Sequence, residues 1–184
     1  MMNNLKDLTE QAVEFHGHLC PGLTMGVRMA HRTLEILGED RAEDEELVAV
    51  VEMDSCAVDG IQQITGCTFG KGNLIFKDYG KTAVTFYHRE MDEAVRLCLR
   101  PEAMQGEEIS RAKEGDGGKR EIAEIILSMP VGELLDEQAV PAPLFPLAQI
   151  HQSLICYACG ESVMETRVVE KGGSTFCIPC SDDR

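Results

Sequence analysis

The chain has 184 residues, 43% of them hydrophobic and 27% charged, with a formal net charge of -15. That length supports one domain of ordinary size plus a small appendage, and no apolar run reaches the length of a membrane span. So large a surplus of carboxylates argues against nucleic acid as a partner, because that affinity comes largely from Lys and Arg neutralising phosphates. The opening residues from Met1 to Asp7 lack the basic segment and apolar stretch of a secretory signal. The expected location is therefore the cytoplasm, with the eight cysteines present as thiols or ligands.

Leu5, Leu8, Ala12 and Phe15 recur at helical spacing after a capping Asn4, which predicts a short amphipathic helix. A second helix is predicted to begin at Pro21, to bury Leu23, Val27, Ala30, Leu34 and Leu37, and to stop at Gly38. The acidic run from Glu39 to Glu46 reads as a solvated loop. Leu47-Val48-Ala49-Val50-Val51 is a continuous apolar run, as expected of a strand buried on both faces. Residues Ala57 to Ile64 read as a helix ending near Gly66, and the glycine-rich loop to Gly72 leads to a strand from Asn73 to Lys77. Thr82 to Tyr87 alternate like a strand, so the last two strands are predicted to form an antiparallel hairpin around Asp78-Tyr79-Gly80. Arg89 to Arg100 and Lys119 to Met129 read as helices, separated by Gly115-Asp116-Gly117-Gly118. Pro130, Pro141, Pro143 and Pro146 mark a connection to the C-terminal segment. The expected fold class is α+β, with a mainly antiparallel sheet surrounded by helices, residues 1–138 as the core domain, 139–152 as a linker and 153–184 as a finger.

In an extended backbone His16, His18 and Cys20 point the same way, giving a set of metal or acid–base ligands. Cys20 immediately precedes Pro21 at the predicted helix start, where free backbone N–H groups suit a sulfur ligand. Cys56 follows the buried strand and is the natural further ligand, or else a small core residue. Asp54 and Asp59 flank it and suit a supporting or general-base role, with a helix cap an equal reading for Asp54. Cys67 lies in a glycine-rich loop able to approach a ligand closely. That loop is not a phosphate-binding loop of the Walker type: its glycine spacing is short, and Gly72 stands where a Ser or Thr is needed. Lys71 there reads as an anion ligand or as plain surface. Cys98 reads as core, and His31 and His88 as surface residues.

The most specific signal closes the chain. Cys156-x2-Cys159 and Cys177-x2-Cys180 frame a predicted hairpin turning at Lys171-Gly172-Gly173, and four thiolates so presented suit a tetrahedral Zn2+. From His151 onward acidic residues outnumber basic ones. This favours a subunit contact or a protein partner for the finger over DNA.

Three blocks together, Phe15-His16-Gly17-His18-Leu19-Cys20-Pro21-Gly22, Glu52-x-Asp54-Ser55-Cys56-Ala57-Val58-Asp59-Gly60, and Thr65-Gly66-Cys67-Thr68-Phe69-Gly70-Lys71-Gly72-Asn73, resemble the formylmethanofuran dehydrogenase E-subunit family. The resemblance implies an α+β core, an intertwined homodimer and a cleft whose metal ligands fall on His16, His18, Cys20, Cys56 and Cys67. Imidazole and thiolate ligands suit Zn, Ni, Fe or Cu without choosing among them. Asp54, Asp59 and Lys71 are the candidate catalytic residues should the cleft carry chemistry. The resemblance places such a protein beside a molybdenum or tungsten oxidoreductase of one-carbon metabolism, in an accessory or redox-associated role. The alternative is a metal sensor, a metal-delivery protein or an interaction module without turnover, with a transcriptional regulator disfavoured by the acidic finger. The finger in such relatives resembles a treble clef, and the few residues after Cys180 predict a truncated, ribbon-like form without its helix.

Overall fold

A computed structural model describes residues 4–38, 40–91, 93–115, 118–142 and 145–182. Of the residues named above, Met1 to Asn3, Glu39, Asp116, Gly117 and Pro143 lie outside the described residues, as do Asp183 and Arg184 of the expected finger. The structure divides into two compact units, residues 1–147 and 148–184.

In the larger unit the first three predicted helices form close to their expected bounds: α1 (Leu5–His16), α2 (Pro21–Leu37) and α3 (Ala57–Thr65). Asn4 Oδ1 caps α1 by accepting the Lys6 N–H, and Gly38, at φ 68°, ends α2. Leu8 and Ala12 are buried as the spacing requires, whereas Phe15, 55% exposed, is not.

The sheet contains β1 (Leu47–Val51), β2 (Leu74–Phe76), β3 (Ala83–His88), β4 (Glu93–Leu99) and β5 (Leu135–Pro141) in the order β2-β1-β3-β4-β5. β1 is buried along its whole length and pairs parallel with β2 and antiparallel with β3. The predicted β2–β3 hairpin is therefore corrected. A strand that is apolar on both faces is best placed between two neighbours, and the chain after β2 passes around its end. The Lys77 N–H donates to the Val51 carbonyl, and the Lys81 N–H to that of Glu52.

A second correction concerns Arg89 to Arg100, predicted as helix and found to be the turn into β4 and β4 itself. Met91, Ala94, Val95 and Cys98 have helical spacing, but the same run also alternates. Val95 and Leu97 enter the main core while Ala94 joins a cluster with Val48 and Tyr87. With β3 and β5 offering backbone partners on both sides, the two-residue period wins. Cys98 is accordingly half-buried on the sheet rather than in a helix core. His88 also departs from expectation: it is 4% exposed, and its Nδ1 accepts the Glu90 N–H.

After a short turn at Pro101–Met104 come α4 (Glu107–Glu114), α5 (Gly118–Ser128) and the single turn α6 (Val131–Leu134). The main core joins Met25 and Met29 of α2, Ile61 of α3, Ile109 of α4 and Ile126 of α5 to Leu47, Phe86, Val95 and Leu97 of the sheet. Helices thus cover one face. On the other, Phe145 packs near Val48 and Tyr87, in a segment held by Arg89, whose guanidinium donates to the Phe145 and Pro146 carbonyls.

The smaller unit contains two hairpins and a terminal turn: β6 (Ser153–Ile155) with β7 (Ser162–Met164), β8 (Val168–Lys171) with β9 (Ser174–Cys177), and α7 (Ile178–Asp182). The predicted turn at Gly172-Gly173 is present, both residues having positive φ. The expectation that no helix follows the second cysteine pair is corrected. Cys180 lies within a five-residue helix, stabilised as Ser181 Oγ donates to the Ile178 carbonyl and Lys171 Nζ to that of Ser181.

Candidate metal centres

The core centre is built where three helix ends meet. His16 is the last residue of α1, Cys20 is the N-cap of α2, and Cys56 is the N-cap of α3. Their ligand atoms lie within 4.8 Å of one another, and His16 Nε2 stands 3.9 Å from Cys20 Sγ. Tetrahedral zinc with one nitrogen and one sulfur ligand requires a ligand–ligand edge of about 3.6 Å. The donor types and spacing therefore fit a transition-metal ion.

Close packing of α2 on α3 brings the two cysteines together, and it depends on glycine. A Cβ at Gly26 would collide with the Ala57 carbonyl, one at Gly60 would stand 2.8 Å from the Leu23 oxygen, and one at Gly22 would stand 3.0 Å from the Cys56 Cβ. Gly22-x3-Gly26 on α2 and Gly60 on α3 are thus site-building residues that ligand-type reasoning passes over. Their signal in the sequence is the small-residue spacing next to each cysteine.

Asp59 sits on the first turn of α3, and its Oδ2 is 2.7 Å from His16 Nδ1. With Nδ1–H donating to the carboxylate, Nε2 is left as an acceptor on the cysteine side. This is the carboxylate–histidine arrangement that orients metal-binding imidazoles. The Cys20 sulfur also accepts the Leu23 N–H at 3.4 Å. Burial pushes the Cys56 thiol up, and the adjacent Cys20 adds to that effect. A cation would relieve both by stabilising the thiolates.

The other expected residues are placed differently. His18 is exposed, its ring 4.6 Å from that of His16. Asp54 is exposed. Cys67 is not brought to the cluster: it follows the C-terminus of α3 whereas Cys56 precedes its start, and nine helical residues span about 13 Å. Its fully buried thiol donates to the Leu47 carbonyl, and burial pushes it up to about 11. Lys71 donates to the Ala42 and Glu43 carbonyls, just before the start of β1. Gly66 approaches the backbone of Ala42, where a Cβ would collide, rather than a ligand. The buried Asn73 ties the same loop to the carbonyls of Asp44 and Leu47. The glycine-rich segment is thus a structural clasp at the opposite end of α3.

Two further features border the core centre. Glu52, just past β1, makes a two-point ion pair with Arg96 at 2.7 and 2.9 Å, and Arg96 holds its carboxyl below the ordinary value. This fixes the exit of β1 that leads to Cys56. A groove of about 910 Å³ runs between α1 and α5, lined by Leu5, Val13, Leu19 and Leu127 together with the charged Lys6, Glu10, Glu14, Arg120 and Glu124, and Leu19 directly precedes Cys20.

In the smaller unit the sulfurs of Cys156, Cys159, Cys177 and Cys180 lie within 4.8 Å of one another. Cys156 is buried and Cys159 exposed. The Cys177 N–H donates to the Cys156 sulfur at 3.3 Å, and donors from Cys159 and Cys177 draw the Cys156 thiol down to about 6. Cys180 moves the other way, pushed up first by its neighbour Cys177. Four thiolates this close need a cation, and an all-sulfur tetrahedral set suits zinc.

Residues 15–136 match the family model described as FmdE, Molybdenum formylmethanofuran dehydrogenase operon. The chain belongs to the FmdE family. The FmdE region carries the whole His16–Cys20–Cys56 group, and residues 152–184 match the Prokaryotic dksA/traR C4-type zinc finger. A curated relative from Archaeoglobus fulgidus, named a probable S-adenosyl-L-methionine-binding protein, is 31% identical over 97% of this chain. The chain spans 54%, about half, of that relative's length. A crystal structure of an FmdE-like protein of tungsten formylmethanofuran dehydrogenase type, from Syntrophus aciditrophicus, matches with a TM-score of 0.71 at 24% identity, covering 98% of this chain and 94% of that one. The likeness establishes the α+β fold. Among the described residues no helix is long and apolar enough to cross a membrane.

Proposed function

We propose that this FmdE-family protein is a metal-dependent accessory or redox-associated protein, holding one transition-metal ion at His16, Cys20 and Cys56 and a structural zinc at the finger. The observation that carries the reading is the Asp59–His16 pair aimed at two cysteines: a carboxylate orients one imidazole nitrogen while the other faces sulfur. Three protein ligands leave a fourth position for His18 or for an external ligand, and an open position is the mark of a site that does more than hold the fold. Such an ion would supply Lewis-acid or redox chemistry. Asp59 would orient His16, and the flanking Asp54 is the remaining candidate for proton transfer.

The experiment is metal analysis of the purified chain. Two ions per chain are expected, falling to one in the Cys20→Ala, Cys56→Ala double variant. One ion per chain in both proteins would remove the reading. A homodimer is proposed on the family resemblance and is checked by sedimentation. The finger is proposed to dock a protein partner, supported by exposed Ile155, Tyr157 and Ile178 on an acidic module.

A second reading is favoured by the Archaeoglobus relative and by the groove beside Leu19. Its volume lies in the range of small-molecule sites. In this reading the core binds S-adenosylmethionine or a related amphiphilic nucleoside. Calorimetric titration with S-adenosylmethionine tests it, with binding expected to weaken in Leu127→Arg. Absence of heat from the metal-loaded protein would dismiss it.

A further inference from the structure

The two cysteines that would hold the core ion have a chemistry of their own, and it bears on how that ion is kept or lost. Cys20 and Cys56 occupy N-cap positions, ahead of α2 and α3 rather than within them. Their sulfurs lie within 4.8 Å of each other. The first turn of α2 is pressed against Cys56, since a Cβ at Gly22 would stand 3.0 Å from the Cys56 Cβ. A disulfide needs Cβ atoms about 4 Å apart and the sulfurs about 2 Å apart. Forming the bond requires both side chains to rotate so that the sulfurs close from within 4.8 Å to about 2 Å. The contact to be given up on the Cys20 side is the Leu23 N–H to sulfur bond at 3.4 Å.

We infer that Cys20 and Cys56 are a redox-active pair, which hydrogen peroxide converts to a disulfide when the core ion is absent and which then cannot bind the ion again. Cys56 is half-buried and Cys20 buried, so peroxide reaches Cys56 first, and it reacts there slowly because burial disfavours the thiolate. The Cys56 sulfur attacks one peroxide oxygen and the O–O bond breaks, leaving Cys56 as a sulfenic acid and releasing water. The Cys20 sulfur then attacks the Cys56 sulfur. The S–O bond breaks, the S–S bond forms, and the hydroxyl leaves as a second water with the Cys20 proton. In sum two thiols are oxidised to one disulfide and one hydrogen peroxide is reduced to two waters. A bound ion opposes this by engaging both sulfurs. Cys67 takes no part, because its buried thiol lies beyond the other end of α3.

This inference rests on the metal reading for its consequence, but its chemistry is tested separately. The full chain is stripped with a chelator, exposed to hydrogen peroxide, digested without reduction and mapped by mass spectrometry. The expected product is the Cys20 peptide joined to the Cys56 peptide with the loss of two hydrogens. It should be reversed by dithiothreitol, retained in Cys98→Ser, lost in Cys56→Ser, and suppressed by loading with Zn2+ beforehand. Separate sulfinic acids on the two cysteines, or unmodified thiols, would overturn the inference. The map of the unaltered chain decides the matter even if Cys56→Ser does not fold. A chain that forms the cross-link but never binds a core ion defeats the metal reading alone. A chain that binds and releases the ion without cross-linking defeats the redox inference alone.

Discussion

The finger and the core centre use overlapping chemistry but are assembled in opposite ways. In the finger each pair of sulfurs is three residues apart, one on a turn and the other running from the end of β9 into α7, so the ligand set is written in local spacing and needs little besides two hairpins to meet. In the core one imidazole and two thiols come from the ends of three helices, and Cys20 and Cys56 meet because Gly22, Gly26 and Gly60 let α2 and α3 approach backbone to backbone. A finger of this kind therefore exchanges folding energy with its ion, whereas the core centre borrows its geometry from a packed domain.

That contrast can be broken most directly at the finger. Cys177→Ser should abolish its zinc and unfold residues 148–184, since structural zinc contributes about 10 kcal/mol or more to such modules. Protease mapping should then show cleavage confined to that unit while the core ion remains. Loss of both ions would deny the two centres their independence. Next in size is Gly26→Val, whose side chain meets the Ala57 carbonyl. It should cost about 3 kcal/mol or more in urea unfolding and empty the core centre while the finger keeps its zinc. Asp59→Asn should leave the fold intact and weaken core metal affinity about 10-fold to 100-fold by loosening His16, as read by competition with a chromogenic chelator. An unchanged affinity would make the Asp59–His16 pair structural.

The smallest effect concerns pH. Arg96 lowers the Glu52 carboxyl below its ordinary value of 4.5, so the folded state binds this proton more weakly than the unfolded chain. The pair's contribution is present above that ordinary value and is lost as pH falls through the lowered one. Acid unfolding of the larger unit should therefore begin earlier and lose steepness in Glu52→Gln. The finger, which lacks this pair, should be unaffected.

Much of the fold is legible in the chain. α2 can be placed from Pro21 to Gly38 because its caps and its apolar stripe agree, and β1 because five consecutive apolar residues, three of them valines, suit a doubly buried strand. β4 departs from its predicted helix because Met91, Ala94, Val95 and Cys98 satisfy the helical and the alternating pattern together, and the decision belongs to β3 and β5. Cys67 resembles a ligand because it is a cysteine in a glycine-rich loop. Its true role is set by α3, which separates it from Cys56, and by the Leu47 carbonyl that takes its thiol.

By itself the sequence determined the local matters: helix caps, the buried strand, and a four-sulfur site whose ligands lie close along the chain. It also offered His16, His18, Cys20 and Cys56 as candidate ligands, and the family resemblance added Cys67. The tertiary structure alone decided which distant groups share a site. It set β1 between β2 and β3, turned Asp59 onto His16, removed Cys67 and Lys71 to the other end of α3, and brought Cys20 to Cys56. The physical reason is that spacing controls only what one turn can present, while a site drawn from three helices exists only where their packing permits close approach.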